Sequence, residues 1–159
     1  MAENERAEPT RSYEFYFDDF EVGRTLQMGT YTVTEEEILT FARQYDPQPF
    51  HINGEAAKAS QFGGIIASGC HTFSAVWGSV IRAGFLNGRG MGAPDMTHLF
   101  RQPVRPGDTL TTLIRVCEKR ASQSRSDRGY VRCEFETTNQ NGEVVMTQSS
   151  QQIIPTRPK

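Results

Sequence analysis

The sequence contains no long hydrophobic run, few cysteines and little net charge. No apolar stretch approaches the roughly 20 residues that span a bilayer, so we expect no membrane association. A formal net charge of −2 indicates no basic face for nucleic acid. The three cysteines are odd in number, and no apolar secretory segment precedes them, which favours reduced thiols in a cytoplasmic protein. Because the three histidines are scattered and no Cys-x-x-Cys pair occurs, we predict neither a metal site nor a bound cofactor.

The length of the chain bounds its domain organisation. Its 159 residues suit one domain, which we place at residues 13–159. A chain of this size buries about 70% of its unfolded surface on folding. Residues 1–12 are polar and acidic, and we predict that they form a disordered tail.

Hydrophobic periodicity predicts an α+β fold. Residues 69–85 carry apolar side chains at helical spacing, which indicates one long helix. A capping box, Thr34 with Glu37, begins an earlier helix that must end before Pro47, and a short helix is predicted at 55–60. The predicted strands cover residues 13–17, 26–33, 97–104, 109–119, 130–138 and 143–154. One long helix followed by a run of antiparallel strands is an α+β arrangement.

A carboxylate and an imidazole lie five residues apart in the segment Tyr-Asp-Pro-Gln-Pro-Phe-His. The two prolines disfavour helical geometry just before them, so we expect a turn that brings Asp46 and His51 together. An aspartate and a histidine aimed at one water form a general acid–base pair. A surface turn with a solvated aspartate and a chance histidine has the same spacing, so this motif alone leaves both interpretations open.

A second motif, Phe-Gly-Gly-Ile-Ile-Ala-Ser-Gly at residues 62–69, follows the first. Together the two motifs resemble the MaoC-like dehydratases, which are hot-dog-fold relatives of (R)-specific enoyl-CoA hydratases. The resemblance extends from about residue 13 to the last predicted strand. It implies a hot-dog fold, in which an antiparallel β-sheet wraps a long central helix.

The same resemblance implies an activity and three catalytic groups. The expected reaction interconverts a trans-2-enoyl thioester and a (3R)-3-hydroxyacyl thioester, with an acyl-CoA as the expected substrate and acyl carrier protein as the other possible carrier. Asp46 and His51 would act through one water, and either could be the base. The backbone N–H of Gly69 would hold the thioester oxygen. Glycine suits that position because a substrate can approach without meeting a Cβ, although an ordinary turn glycine would look the same.

Five other residues are candidates for substrate binding: Phe50, Asn53, Ser68, His71 and Trp77. The two aromatic residues Phe50 and Trp77 could line an acyl channel, but aromatic side chains more commonly fill a core. Ser68 is more typical of a helix cap than of a nucleophile. Asn53 could orient the loop or be a turn residue, and His71 is more typical of a structural residue than of a group near the thioester.

Two other functions fit a protein with this resemblance. A hot-dog thioesterase would release free thiol, and a non-catalytic acyl-thioester-binding module would keep the fold without turnover. The pairing of Asp46 with His51 favours the hydratase over both. The resemblance also implies a homodimer, which agrees with the general frequency of twofold dimers.

Overall fold

The computed structural model describes residues 14–159. The predicted disordered tail at 1–12 lies outside the described residues. Within that range, no helix has both the length and the apolar character that crossing a bilayer requires.

An antiparallel sheet of five strands forms the framework of residues 14–159. The strands are β1 (Thr25–Thr32), β2 (Asp95–Phe100), β3 (Thr109–Ala121), β4 (Arg128–Thr138) and β5 (Val144–Pro155). Their spatial order is β1-β3-β4-β5-β2, so β1 and β2 are the two edges. Inward-facing side chains alternate with outward-facing ones along β3 to β5, as expected for a sheet with one covered face.

One long helix covers the inner face of that sheet. The helices are α1 (Glu35–Tyr45), α2 (Pro49–Ile52), α3 (Gly54–Ala59) and α4 (Gly69–Arg82), and short 3₁₀ turns occur at Phe17–Asp19 and Phe85–Gly88. Val76 and Val80 of α4 are buried in the two apolar clusters that join helix and sheet. This arrangement confirms the predicted α+β fold.

The capping box predicted at the start of α1 is present. The hydroxyl of Thr34 accepts the Glu37 N–H at 3.2 Å, and the Glu37 carboxylate accepts the Thr34 N–H at 3.0 Å. Helix α1 ends at Tyr45, two residues before Pro47, as the proline requires.

Two predicted strands were wrong in place or extent. Instead of a strand at 13–17, the described residues form an irregular segment in which Phe15 has a φ of 55°, followed by a 3₁₀ turn. The strand predicted at 97–104 runs from Asp95 only to Phe100. Just beyond it the Arg101 N–H still donates to the Val145 carbonyl of β5 at 2.8 Å, and farther on the Val104 carbonyl accepts the Ala67 N–H at 2.8 Å.

Two helix predictions also need correction. The central helix was predicted to reach residue 85 but ends at Arg82, because Gly84 adopts a left-handed φ of 99°. The segment between the two motif residues was predicted to be non-helical, yet a single turn, α2, begins at Pro49. Proline is well suited to the first position of a helix, where its missing N–H has no intrahelical partner to lose.

Gly29 allows edge strand β1 to lie directly on α4. Its φ is +77°, and a Cβ at this position would lie 2.7 Å from Ser79 Oγ and 2.9 Å from the backbone nitrogen of Val80. The strand register also shifts between Met28 and Thr30. Both the conformation and the close approach therefore require glycine.

We predict that Gly29→Ala destabilises the fold by at least about 2 kcal/mol. Alanine is strained at a left-handed φ, and its Cβ would also clash with the backbone of α4 at Val80. The midpoint of urea unfolding measures this loss. Gly54→Ala is the matched control, because its Cβ would meet nothing within 4 Å and its φ is not left-handed. Equal midpoints for the two variants would contradict this account of the β1–α4 contact.

Candidate active site

The turn between α1 and α2 brings the predicted pair together. Asp46 closes α1 by donating its N–H to the Ala42 carbonyl at 2.9 Å. The Gln48 N–H then donates to the Asp46 carbonyl at 2.8 Å, which reverses the chain before α2. As a result, Nε2 of His51 lies 3.4 Å from Oδ2 of Asp46.

A backbone carbonyl determines which nitrogen of His51 carries the proton. Nδ1 lies 2.7 Å from the carbonyl oxygen of Ile66. A carbonyl can only accept, so Nδ1 is protonated, and in the neutral ring Nε2 presents its lone pair toward Asp46. The side chain of His51 is only 5% exposed, which holds this orientation.

Asp46 is held as a carboxylate by two side-chain donors. The Ser68 hydroxyl donates to Oδ2 at 2.6 Å, and Nε2 of Gln48 donates to Oδ1 at 2.8 Å. The hydrogen bond from Ser68 lowers the pKa of Asp46 most, followed by that from Gln48, and partial burial opposes them; His51 would lower this pKa further only when its ring is protonated. The carboxylate of Asp46 and, in the tautomer protonated on Nδ1, Nε2 of His51 are both proton acceptors, and a water donating to each would satisfy both.

The start of α4 lies beside this pair. Ser68 is the N-cap, and its hydroxyl accepts the Cys70 N–H at 3.3 Å while it donates to Asp46. Gly69 is the first helical residue, and its N–H has no acceptor in the described part of the chain. A Cβ at position 69 would lie 2.8 Å from the ring of Phe100. An unpaired N–H at a helix N-terminus attracts negative charge.

A cavity of about 350 Å³ joins the imidazole to this free N–H. Phe50, Phe62 and Phe100 contribute aromatic walls, and His51 and Gly69 contribute polar groups. Asp46 is not among its lining residues. It contacts His51, which does line the cavity, and Ser68, which directly precedes Gly69. A larger depression of about 440 Å³ on the outer face of the sheet contains neither the pair nor the free N–H, so we place the site at the smaller cavity.

The structure brings five of the eight predicted site residues to this cavity or its immediate support: Asp46, Phe50, His51, Ser68 and Gly69. Phe50 packs edge-on against His51, with ring centroids 4.5 Å apart. Ser68 is a helix cap, as its position in the sequence favoured.

The other three predicted residues lie elsewhere. Asn53 accepts the Ala56 N–H at 2.9 Å and caps α3. His71 stacks on Phe41 and lines a separate cavity beside α1, and burial lowers its pKa. Trp77 lies two turns along α4 from Gly69. Substrate contacts by these three residues stay predictions.

The sequence interpretation missed three supporting groups. Gln48 lies between the two prolines, and its spacing of two residues from Asp46 is a recognisable signal for a local hydrogen bond. The donation from Ser68 to Asp46 joins residues 22 apart and had no local signal. The Ile66 carbonyl is a backbone atom, so no residue type could have identified it.

Comparisons with known proteins identify both the family and the fold. The family model described as MaoC like domain matches residues 19–138. A MaoC-like dehydratase of known structure from Rhodospirillum rubrum is 34% identical with a TM-score of 0.86, over 91% of this chain and 99% of that one. This likeness confirms the predicted hot-dog fold.

Two curated relatives are similar in sequence. The uncharacterized protein YdeM of Bacillus subtilis is 32% identical over 77% of this chain and 86% of its own length. An (R)-specific enoyl-CoA hydratase of Rhodospirillum rubrum is 32% identical over 64% of this chain and 69% of its own length.

We predict that Ser68→Ala raises the pKa of Asp46 toward its ordinary value of 3.8, because the variant loses the hydrogen bond that lowers it most. The native carboxylate stabilises the fold at pH values above its unfolded pKa, and that stability is lost as the pH falls through the folded pKa. In the variant the Asp46 carboxylate contributes less to the stability of the fold. As the pH is lowered, that contribution disappears at a higher pH than in the unmodified protein. An NMR titration of the Asp46 carboxyl measures the shift.

Ser74→Ala provides the control for this experiment. Ser74 is an exposed residue of the same helix and has no part in the network around Asp46. An Asp46 titration that is identical in Ser68→Ala, Ser74→Ala and the unmodified protein would show that the hydroxyl does not control the carboxylate.

Proposed function

Because this chain belongs to the MaoC-like domain family, we propose that it is a hydratase/dehydratase that interconverts a trans-2-enoyl-CoA and the (3R)-3-hydroxyacyl-CoA. The observation that carries the proposal is the 3.4 Å approach of Asp46 Oδ2 to His51 Nε2, beside the free N–H of Gly69. The name of the Rhodospirillum rubrum relative, an (R)-specific enoyl-CoA hydratase, supports the choice of substrate and stereochemistry.

The attacking water would bind between Asp46 and His51. Each presents an acceptor, so the water donates one hydrogen bond to each and directs an oxygen lone pair at C3 of the enoyl group. Removing a proton from this water as the C–O bond forms is general base catalysis. The fixed Nδ1–H···O bond to Ile66 keeps the accepting nitrogen aimed at the water.

The thioester oxygen would accept the N–H of Gly69. Attack at C3 moves electron density through C2 and onto that oxygen, so a donor placed there stabilises the enolate-like transition state. One such donor is worth about 3–4 kcal/mol of the barrier. The partial positive charge at the N-terminus of α4 acts in the same direction.

The pair takes up one proton during the reaction and gives it back. The proton taken from the water is held by Asp46 and His51 and is then delivered to C2, so the pair ends the cycle as it began. The hydroxyl at C3 and the hydrogen at C2 both derive from one water. No oxidant, metal or external base takes part in this sequence.

A thioesterase would use the same cavity for a different bond. It would direct water at the thioester carbonyl carbon and release thiol, whereas the proposed enzyme leaves the thioester intact. The position of the acceptor pair beside the free Gly69 N–H, where an extended enoyl group presents C3, favours hydration. A binding module without turnover would have no need of a tautomer fixed by Ile66.

We predict that the purified protein consumes crotonyl-CoA and forms 3-hydroxybutyryl-CoA without releasing thiol. Asp46→Asn and His51→Asn should each lower kcat about 10²–10⁴-fold with small changes in KM, since each removes a proton-transfer group while keeping a polar side chain. Absorbance of the enoyl thioester measures turnover, and a thiol-reactive dye detects hydrolysis.

Asp127→Asn serves as the control, because Asp127 is a surface carboxylate that pairs with Arg128. Thiol release at the rate of enoyl consumption would identify a thioesterase. Binding of the thioester without either reaction would leave the non-catalytic module as the function.

We also propose that the protein is a cytoplasmic homodimer that pairs through β2. The proposal is supported by the edge position of β2 and by the 50% and 52% exposure of Leu99 and Phe100. An exposed apolar edge strand presents unpaired backbone N–H and C=O groups, which can pair with a strand of another molecule. The three free cysteines support a reducing compartment.

We predict that Leu99→Glu converts the dimer to a monomer, because a charge on each copy would face the other across the twofold axis. Light scattering after size-exclusion chromatography measures the change. Thr147→Glu, which lies opposite Leu99 on β5 and one strand in from the edge, is the control and should remain dimeric. A monomeric unmodified protein would contradict the proposed assembly.

A further inference from the structure

A second apolar cavity lies at the far end of α4. It has a volume of about 420 Å³, and its lining includes Trp77, Ile81, Phe85, Leu86, Met96 and Gln152. Gln152 is only 2% exposed, and its amide already donates to the Ser150 hydroxyl at 2.7 Å. The remaining walls are mainly hydrocarbon and aromatic, so the chemistry of this cavity suits an alkyl chain.

The two cavities lie on one seam between α4 and β2. The first turn of α4, at Gly69, faces Phe100. One turn later, Phe73 contacts His98, with ring centroids 4.2 Å apart. After one more turn, Trp77 and Met96 both line the second cavity. Helix and strand therefore run side by side, and at 1.5 Å per residue the second cavity lies about 12 Å along the seam from Gly69.

The contact between Phe73 and His98 separates the two cavities. Neighbouring rings extend it in both directions, since Phe73 also stacks on Trp77 with centroids 6.5 Å apart and His98 lies at the same distance from Phe100. Burial lowers the pKa of His98, so its ring is neutral at neutral pH and packs as an aromatic group.

The Phe73–His98 contact, which forms a partition between the two cavities, is not stabilised by hydrogen bonds. Nδ1 of His98 is buried and, among the described residues, has no partner. Gln148 is directly opposite His98 on β5, and its buried Nε2 also lacks a partner within residues 14–159. A side-chain pair joined by ring contact alone can separate by rotamer changes, without breaking a hydrogen bond.

We propose that the second cavity receives the distal end of long acyl chains, and that the Phe73–His98 pair is the partition that sets chain-length preference. This inference rests on the proposed acyl-thioester function and names the substrate selectivity of that site. Short acyl groups fit entirely within the cavity at Gly69. Longer chains pass along the seam, displace the pair and fill the apolar space beside Trp77.

Burial of alkyl groups gives the expected size of the effect. Each methylene that moves from water into the second cavity should tighten binding about fourfold. Methylenes that reach only the partition should add less, because their gain is offset by separating the two rings. Affinity should therefore rise slowly for short chains and more steeply once the chain passes the partition.

The sole tryptophan of the chain, Trp77, reports on the second cavity directly. We would titrate the full-length protein with free CoA and with butyryl-, hexanoyl-, octanoyl- and lauroyl-CoA, and record tryptophan emission together with the affinity from calorimetry. These saturated thioesters need no turnover. Emission should not change with free CoA or butyryl-CoA, and should shift with octanoyl- and lauroyl-CoA.

Three variants complete the experiment. Phe73→Ala joins the two cavities and should increase the affinity ratio of octanoyl- to butyryl-CoA at least about tenfold, because more methylenes reach apolar space. Phe73→Leu keeps an apolar side chain in case the alanine variant does not fold, and should give a smaller increase. Tyr130→Ala removes an aromatic ring that stacks on Arg120, away from α4, and should leave the ratio unchanged.

Failure of this inference can be distinguished from failure of the proposed reaction. Chain-length-dependent tryptophan emission without hydration of crotonyl-CoA would support the second acyl cavity and contradict the hydratase. Hydration with emission that is the same for every chain length, or an affinity ratio unaffected by either substitution at Phe73, would overturn the role of the partition. Absence of any acyl-CoA binding would overturn both.

Discussion

The 2.6 Å hydrogen bond from the Ser68 hydroxyl to Asp46 joins the two halves of the site. The same oxygen accepts the N–H of Cys70 and so determines where α4 begins. One side chain thus holds the carboxylate beside His51 and leaves the next backbone N–H, that of Gly69, unpaired. If Ser68 moved, both the pKa of Asp46 and the first turn of α4 would change together. The proposed base and the proposed oxyanion donor are therefore coupled through one oxygen atom.

Much of the fold could be predicted because its signals are local. The capping box of α1, the alternation along β3 to β5 and the periodicity of α4 each lie within a single element. The exceptions depend on the rest of the molecule. Strand β2 ends at Phe100, and Val104 beyond it bonds to Ala67 in the segment before α4, a partner of which the sequence near residue 104 carries no sign. A proline at residue 49 suggested a non-helical turn but begins α2.

The site shows the same division between local and distant signals. Asp46 and His51 lie five residues apart and could be identified from spacing and from a family resemblance. Their chemical states depend on groups remote in sequence, namely the hydroxyl of Ser68 and the carbonyl of Ile66. Trp77, predicted to line an acyl channel, lines a second cavity, and its place beyond the Phe73–His98 contact could be seen only once α4 and β2 were placed side by side. Side-chain identity suggested the candidate residues, and tertiary packing determined their arrangement and hydrogen-bond partners.

The central claim is that one water, held between Asp46 and His51, supplies both the hydroxyl added at C3 and the hydrogen added at C2 of the enoyl group. Hydration of crotonyl-CoA in D₂O, followed by NMR of the product, tests it most directly. Because the pair lies on one side of the substrate, the account predicts a single deuterium at C2, added to the same face as the hydroxyl at C3, with R configuration at C3. Deuterium distributed over both faces of C2, an S product, or free thiol in place of the 3-hydroxy thioester would contradict it.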